Sequence, residues 1–400
     1  MDKKLNLKIL NLKRKRKRYL DLFLDMAPES KRSMGENQVE IQKIIIEQMK
    51  ERDFRKIRSQ VAIEVIAYSS EKTPPRIERF VKNLLDLMHK KEILENIEDA
   101  DFLPFEEDRD IKYLSVRYIF LPGKSHTIIR IRPFSSFISD LHFIDTEIDE
   151  DESDKDGFIS IKEHYEDLIE NKEKHMKVLS KEAYESMMDL ATLDMQKSLT
   201  SNMAISPFIV KLIYPKKGTK PAFIKNTYKE WANSLMDFPI RIKLPELPTQ
   251  KNTSKAYKAD VKKQLSSYVN ERPIFKNLKA PAIATVFYSP PAGKKRFYKD
   301  LDNIMLEYIL PSFNEVFAPP LSLLNLHMRE NHEFSKAIPK SLNGSAMGYV
   351  IIELPKKYSE AQKGFLNVGF EVVDLDREGL IQSIDQKIES YIENNEYVDW

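Results

Sequence analysis

Asp300, Asp302 and Asn303, within YSPPAGKKRFYKDLDNIMLEYIL (Tyr288 to Leu310), are the residues best spaced for metal chemistry. Two carboxylates two residues apart project to one side of an extended backbone, whereas helix positions i and i+2 do not face each other. At the mouth of a helix the pair can therefore sit side by side as ligands of one divalent ion. Lys294, Lys295, Arg296 and Lys299 surround them. An acidic couple in a cationic rim suits a site where a metal ion meets a phosphodiester backbone. The competing reading is local, since Asp and Asn are favoured N-caps and acids in a first turn suit the helix dipole.

The elements that must position these residues belong to a chain of 400 residues, 42% of them hydrophobic, enough for two domains with buried cores. Basic and acidic residues nearly balance, 64 against 62, so charge has to be read locally. The absence of cysteine excludes disulfides, thiol nucleophiles and cysteine-ligated zinc, and points to a reducing, cytoplasmic setting. No apolar run approaches the ~20 residues that span a bilayer. Ten glycines and no GxGxxG or GxxxxGK run argue against dinucleotide and nucleoside-triphosphate loops.

Read in order, the chain contains a layout that occurs twice. After a basic arm (1–18) with KRKRKR at Lys13 to Arg18, expected to be a solvated arm or a nucleic-acid contact, YLDLFLDMAP reads as a strand stopped by Pro28. A helix with Val39, Ile41, Ile44, Ile45 and Met49 on one face follows, then the strand VAIEVIAYS (Val61 to Ser69). Next come the helix RIERFVKNLLDLM, opening with Arg76, Glu78 and Arg79, and a stretch from Phe105 to Phe134 that reads as a hairpin turning at Pro122 and Gly123. In the later half FPIRIKLPELP, KAYKADVKKQLSSYV and PAIATVFYS (Pro281 to Ser289) occupy the same places, and the last shares Ala, Ile, Tyr and Ser in register with Val61 to Ser69. LSLLNLHMREN and MGYVIIELP are expected to supply the second hairpin. Shared order and local identity indicate an internal duplication.

Between the copies, residues 141–205 form an acidic linker and helical insert. Glu152 to Glu163 resembles an EF-hand calcium loop, with Asp154, Asp156, Gly157 and Glu163 at matching places and Glu152 where an Asp is usual. An acidic linker with a helix starting near Ser160 is the preferred reading. The tail, residues 356–400, carries Leu380, Ile384, Ile388 and Ile392 at helical spacing, a stripe for packing on the body, a partner or a second copy.

A strand, a loop, then DxDN at the head of a helix, with an acidic pair before a later strand, resembles the RusA family of Holliday junction resolvases. The resemblance covers residues 19–140 and 206–355 as two copies and is specific mainly at KDLDN. It implies an α+β fold of two RusA-like repeats forming an intrachain pseudo-dimer, with a helical insert and a C-terminal helix. It also implies binding to branched DNA across a basic face and cutting with Mg2+ held by aspartates. Asp300, Asp302 and Asn303 match the motif, but Leu306 stands where its lysine belongs, and Pro319 and Pro320 where the acidic pair belongs. In the first copy Arg76, Glu78 and Arg79 replace the motif, while Lys82, Glu107 and Asp108 match its lysine and acidic pair. Each half keeps what the other has lost.

The function expected is a magnesium-dependent, structure-selective DNA endonuclease of recombination, repair or anti-phage pathways, with a degenerate protein that binds nucleic acid or a partner without cutting as the alternative. The site residues expected are Asp300, Asp302, Asn303, Glu78, Lys82 and Asp108, with metal on Asp300 and Asp302. Lys294, Lys295, Arg296, Lys299, Arg76 and Arg79 are expected to hold DNA, and Glu307 or Glu315 to replace the lost acid.

Overall fold

The computed structural model describes residues 3–26, 31–69, 75–91, 94, 97–120, 123–148, 155–201, 205, 207–214, 242–247, 254–280, 282–291, 300–317, 347–355, 365–372 and 379–396. In chain order these give α1 (Lys3–Arg16), β1 (Leu20–Leu24), α2 (Lys31–Glu51), β2 (Val61–Ser69), α3 (Ile77–His89), β3 (Ile111–Phe120), β4 (His126–Pro133) and α4 (Phe134–Glu147). The insert contributes α5 (Lys155–Glu170), α6 (Lys172–Val178), α7 (Lys181–Ser201) and α8 (Pro207–Ile213). The later half gives β5 (Ile242–Glu246), α9 (Ser254–Asn270), β6 (Ala282–Ser289), α10 (Leu301–Ile304), a π-helical stretch (Met305–Ile309), α11 (Leu310–Val316), β7 (Gly348–Glu353), β8 (Phe365–Val372) and α12 (Leu380–Glu396).

All eight strands join one mixed sheet in the order β1-β4-β2-β3-β7-β6-β8-β5. The order is palindromic: β1, β2, β3 and β4 stand where β5, β6, β7 and β8 stand from the other edge. The pairing directions agree as well. β2–β3 and β6–β7 are parallel, β2–β4 and β6–β8 antiparallel, and β1–β4 and β5–β8 antiparallel. The halves meet where β3 and β7 pair antiparallel, Ser115 opposite Val350. That junction is reinforced by the Lys112–Glu353 ion pair at 2.7 Å.

Alternate residues of the central strands serve two cores, as the period of two requires. Ile63, Val65, Leu114, Val116, Ala284, Val286, Tyr349 and Ile351 face the layer of α2, α3, α9, α10 and α11. Ala62, Tyr113, Ile283, Phe287, Val350 and Ile352 face α1, α4, α8 and α12. The result is a mixed α/β sandwich, in agreement with the expected α+β class.

Several expectations are corrected. β3 and β4 are not a hairpin, because β2 lies between them; β6 likewise separates β7 from β8. VAIEVIAYS is apolar almost throughout and buried along its length, so it takes a neighbour on each side, and a parallel β2–β3 pair needs the α3 crossover. LSLLNLHMREN lies outside the described residues, and the strand that completes the second half is β8, inside the segment expected to be a helical tail. Helix α5 begins at Lys155 and runs through Gly157, which therefore cannot make the sharp turn an EF-hand loop needs there. Glu152 to Asp154 lie outside the described residues.

The basic arm is not a free arm. Residues 3–16 form α1, which buries Ile9 and Leu12. Its cations pair with acids of α4 and α12: Lys8 with Glu147 at 2.7 Å, Lys13 with Glu396, Lys15 with Asp140 and Arg16 with Glu389. The stripe on α12 is likewise occupied, with Ile381, Ile384, Ile388 and Ile392 buried against the body. Among the described residues, no helix is long and apolar enough to cross a membrane.

Candidate active site

The strongest concentration of facing charge lies where α3 meets α10. Helix α3 buries Ile77, Phe80, Val81, Leu84 and Leu85 on its inner side. Lys82, Asp86 and His89, at i, i+4 and i+7, therefore share one side face. Asp108 stands in the single 3-10 turn Asp108–Asp110 that leads into β3. Asp300 and Asp302 arrive from the other half, at the mouth of α10.

Asp300 occupies the N-cap position with extended backbone (φ −70°, ψ 152°), yet its side chain makes no capping bond. The local reading of this residue is therefore not what the side chain does. Its Oδ2 instead accepts from Asn303 Nδ2 at 3.3 Å. Oxygens of Asp108, Asp300 and Asp302 all lie within 4.8 Å of one another. The two motif aspartates thus come together as their spacing suggested, and the third carboxylate, expected to be missing, is supplied by the first half. Of the suggested substitutes, Glu315 is engaged by Lys262.

Lys82 sits between the halves, with Nζ 3.0 Å from Asp108 Oδ2 and 2.9 Å from Asp302 Oδ2. It also lies 3.4 Å from Asp86. Leu306, one helical turn after Asp302, offers no charge, and the ammonium beside Asp302 comes from Lys82 of the first half. Three carboxylates against one ammonium leave the cluster anionic.

Burial sets the protonation of the group. Asp302 is 2% exposed, and burial with the nearby Asp108 charge outweighs Lys82, pushing its carboxyl up to about 6. Asp300 is raised by the same burial and by Asp108. Asp108 is held below the usual range although burial opposes this, because His89 and Lys82 both favour its charged form. Burial pulls Lys82 down, but Asp302 and Asp108 prevail, so it stays protonated well above its ordinary value. His89 ends above its ordinary value against burial, through its contact with Asp108 at 3.0 Å.

Among the described residues, Asp302 Oδ1 is buried with no hydrogen-bond partner. A buried anionic oxygen without a donor is costly, and a cation coordinated there would relieve it. The oxygen-rich donor set fits a hard divalent ion such as Mg2+, which accepts one or two carboxylates and keeps several waters. A second group, Asp86, His89 and Asp108, is equally compact and shares Asp108.

The other expected residues divide. Glu78 lies one helical turn before Lys82, buried, with Oε2 unpaired among the described residues and its carboxyl raised by burial against the charges of Arg76 and Arg79. It is not in the cluster. The buried phenol of Tyr349 on β7 feels both Asp302 and Glu78. Arg76 and Arg79 are exposed at the opening of α3. Lys294, Lys295, Arg296, Lys299, Pro319 and Pro320 lie outside the described residues. Asp86 and His89 were missed, although their spacing from Lys82 on one helix face was a readable signal. Comparison with protein-family models, curated proteins and solved structures returned no match.

Proposed function

We propose that this chain is a fused, RusA-like pseudo-dimer that cuts branched DNA such as Holliday junctions with a divalent metal ion, at one composite site built from unequal halves. The observation that carries the reading is the convergence of Asp108 with Asp300 and Asp302. The palindromic strand order supports an ancestral dimer, since an antiparallel pair such as β3–β7 is what a two-fold axis would generate. Asp108, Asp300 and Asp302 would hold Mg2+, which when bound supplies Lewis acidity and a more acidic water. Lys82 keeps its proton at neutral pH, so it serves as a fixed positive charge for phosphate oxygens and not as a base. Asn303 holds Asp300 in place, a positioning role.

A gel-shift and cleavage panel of four-way junction, duplex and single-stranded DNA, with and without Mg2+ or Mn2+, tests this. Metal-dependent cutting of the junction is expected. Binding with no cutting in either metal would instead favour the second reading, a nucleic-acid-binding protein without nuclease activity. One observation favours that reading: Lys82 already neutralises part of the cluster that a metal would claim.

A further inference from the structure

A cleft of about 530 Å³ lies between α1 and the start of α4, lined by Asn11, Arg14, Lys15, Arg18, Ser135, Ser136 and Ser139. Its chemistry is that of an anion site. Helix α4 has Pro133 at its N-cap position, no side-chain cap and no acid in its first turn, so its leading amides have nothing built in to receive them. The amide of Phe134 is taken by the Gln60 carbonyl, 2.7 Å away. Ser135 and Ser136 follow in the same uncapped first turn. A helix N-terminus with free amides and its positive dipole end favours phosphate.

A second observation is independent of the helix end. Ser136 is 4% exposed and lines the cleft, and its hydroxyl has no hydrogen-bond partner among the described residues. A buried hydroxyl turned into a polar cleft is a donor awaiting an acceptor. Arg14 and Arg18 are exposed, and neither makes an ion pair among the described residues, unlike Lys13, Lys15 and Arg16 of the same basic run. Of the acids nearby, Asp140 is already engaged by Lys15 and Tyr19, and Asp385 by Arg132. Guanidinium groups with free forks are suited to phosphate oxygens.

The cleft lies at the same end of the sheet as the composite site but on the opposite face, since α1 and α4 pack in one core and α3 and α10 in the other. Val61 pairs with both Ile111 and Pro133, so the residue after the Asp108–Asp110 turn and the residue before α4 stand in one row. Two strand spacings separate them, roughly 10 Å.

We infer that this cleft binds a phosphate group of the DNA backbone, on the sheet face opposite the composite site, through Arg14, Arg18, Ser136 and the leading amides of α4. The inference rests on the nuclease reading for the identity of the phosphate, but not for the site. Its test uses the full chain in EDTA with fluorescein-labelled junction and duplex DNA over a salt series. Arg14→Ala/Arg18→Ala is compared with Lys13→Ala, whose ammonium is held by Glu396, and with Ser135→Asp, which sets a negative charge at the exposed mouth.

The double variant is expected to weaken DNA binding about tenfold and to lower the salt slope by roughly one to two, with Ser135→Asp acting in the same direction and Lys13→Ala near wild type. Cleavage at saturating DNA is expected to be unchanged, so failure of this inference is distinct from failure of the nuclease. Unchanged affinity and slope would overturn it. If no DNA binds, inorganic phosphate is compared with chloride at matched ionic strength: thermal stabilisation lost in the double variant would keep the phosphate site and overturn its assignment to DNA. Phosphate no better than chloride would overturn both parts.

Discussion

Asp108 and Asp302, one from each half of the chain, face the same ammonium: Lys82 Nζ lies 3.0 Å from the first and 2.9 Å from the second. No single half contains this arrangement. Lys82 and Asp108 belong to the first half of the chain, and the DxDN couple Asp300 and Asp302 to the second.

The composite site makes a prediction that independent sites would not. Asp108→Asn and Asp302→Asn should each abolish metal-dependent cleavage of a four-way junction while leaving junction binding equal or tighter, because a negative charge near phosphates is removed. The double variant should be no worse than either single one, since ligands of one ion act as a unit. Single-turnover cleavage with a parallel gel shift measures both. Retained cutting in Asp108→Asn would detach the first half from the chemistry.

A carboxyl raised to about 6 in the fold against an ordinary 3.8 has a definite signature. Between those values the folded chain holds a proton that the unfolded chain has lost, so this group makes the metal-free protein less stable as pH rises through the window. Metal binding must expel that proton, so Mg2+ affinity should climb over the same range and level off above about pH 7. Thermal melts of wild type and Asp302→Asn, with EDTA or Mg2+, isolate the contribution. The two EDTA curves should diverge with rising pH in favour of the variant, and Mg2+ should stabilise only the wild type.

Lys82→Met leaves the carboxylates without their shared counter-ion. Stability at about pH 8 should fall by about 2 kcal/mol, with part of the loss recovered as pH drops toward 5 or as Mg2+ is added, since either neutralises the cluster. Urea unfolding in the two buffers measures this. A loss equal at all pH values would show that Lys82 acts through packing alone.

Much of this arrangement was legible beforehand. The strand periodicity of Leu20–Leu24 and the apolar run of Val61–Ser69 located elements correctly, and KDLDN marked the aspartates that meet. What was not legible was the partner of each strand. A run such as Ile111–Phe120 carries its face alternation in sequence but not its neighbours, so adjacency in the chain suggested a hairpin where a crossover intervenes. The same gap hid the third carboxylate. Asp108 was recognised, but only strand pairing across β3 and β7 brings it to Asp302. The expectation of a solvated arm at KRKRKR failed for a related reason, because the acids that pair with Lys13, Lys15 and Arg16 lie on α4 and α12, far along the chain.

The tail helix offers the last test, through a contact that sequence did not suggest. Glu64 lies in mid-β2, fully buried, and accepts the amides of Ile381 at 3.1 Å and Gln382 at 3.2 Å, so a strand carboxylate caps α12. Arg130 lies 3.3 Å from its other side. Gly379 passes so close that a Cβ there would overlap the carboxylate. Gly379→Ala should therefore dislodge the start of α12, at a cost of about 2 kcal/mol or more, by analogy with a buried cap that is lost while its charge stays buried. Glu64→Gln keeps the shape but sets an NH2 donor against one of the two backbone amides or Arg130, so it should loosen the same end of α12. Hydrogen exchange resolved along the chain should show amides of 381–392 losing protection in Gly379→Ala while β6 and β7 keep theirs; unchanged exchange in α12 would mean that the apolar stripe of Ile384, Ile388 and Ile392 alone secures it.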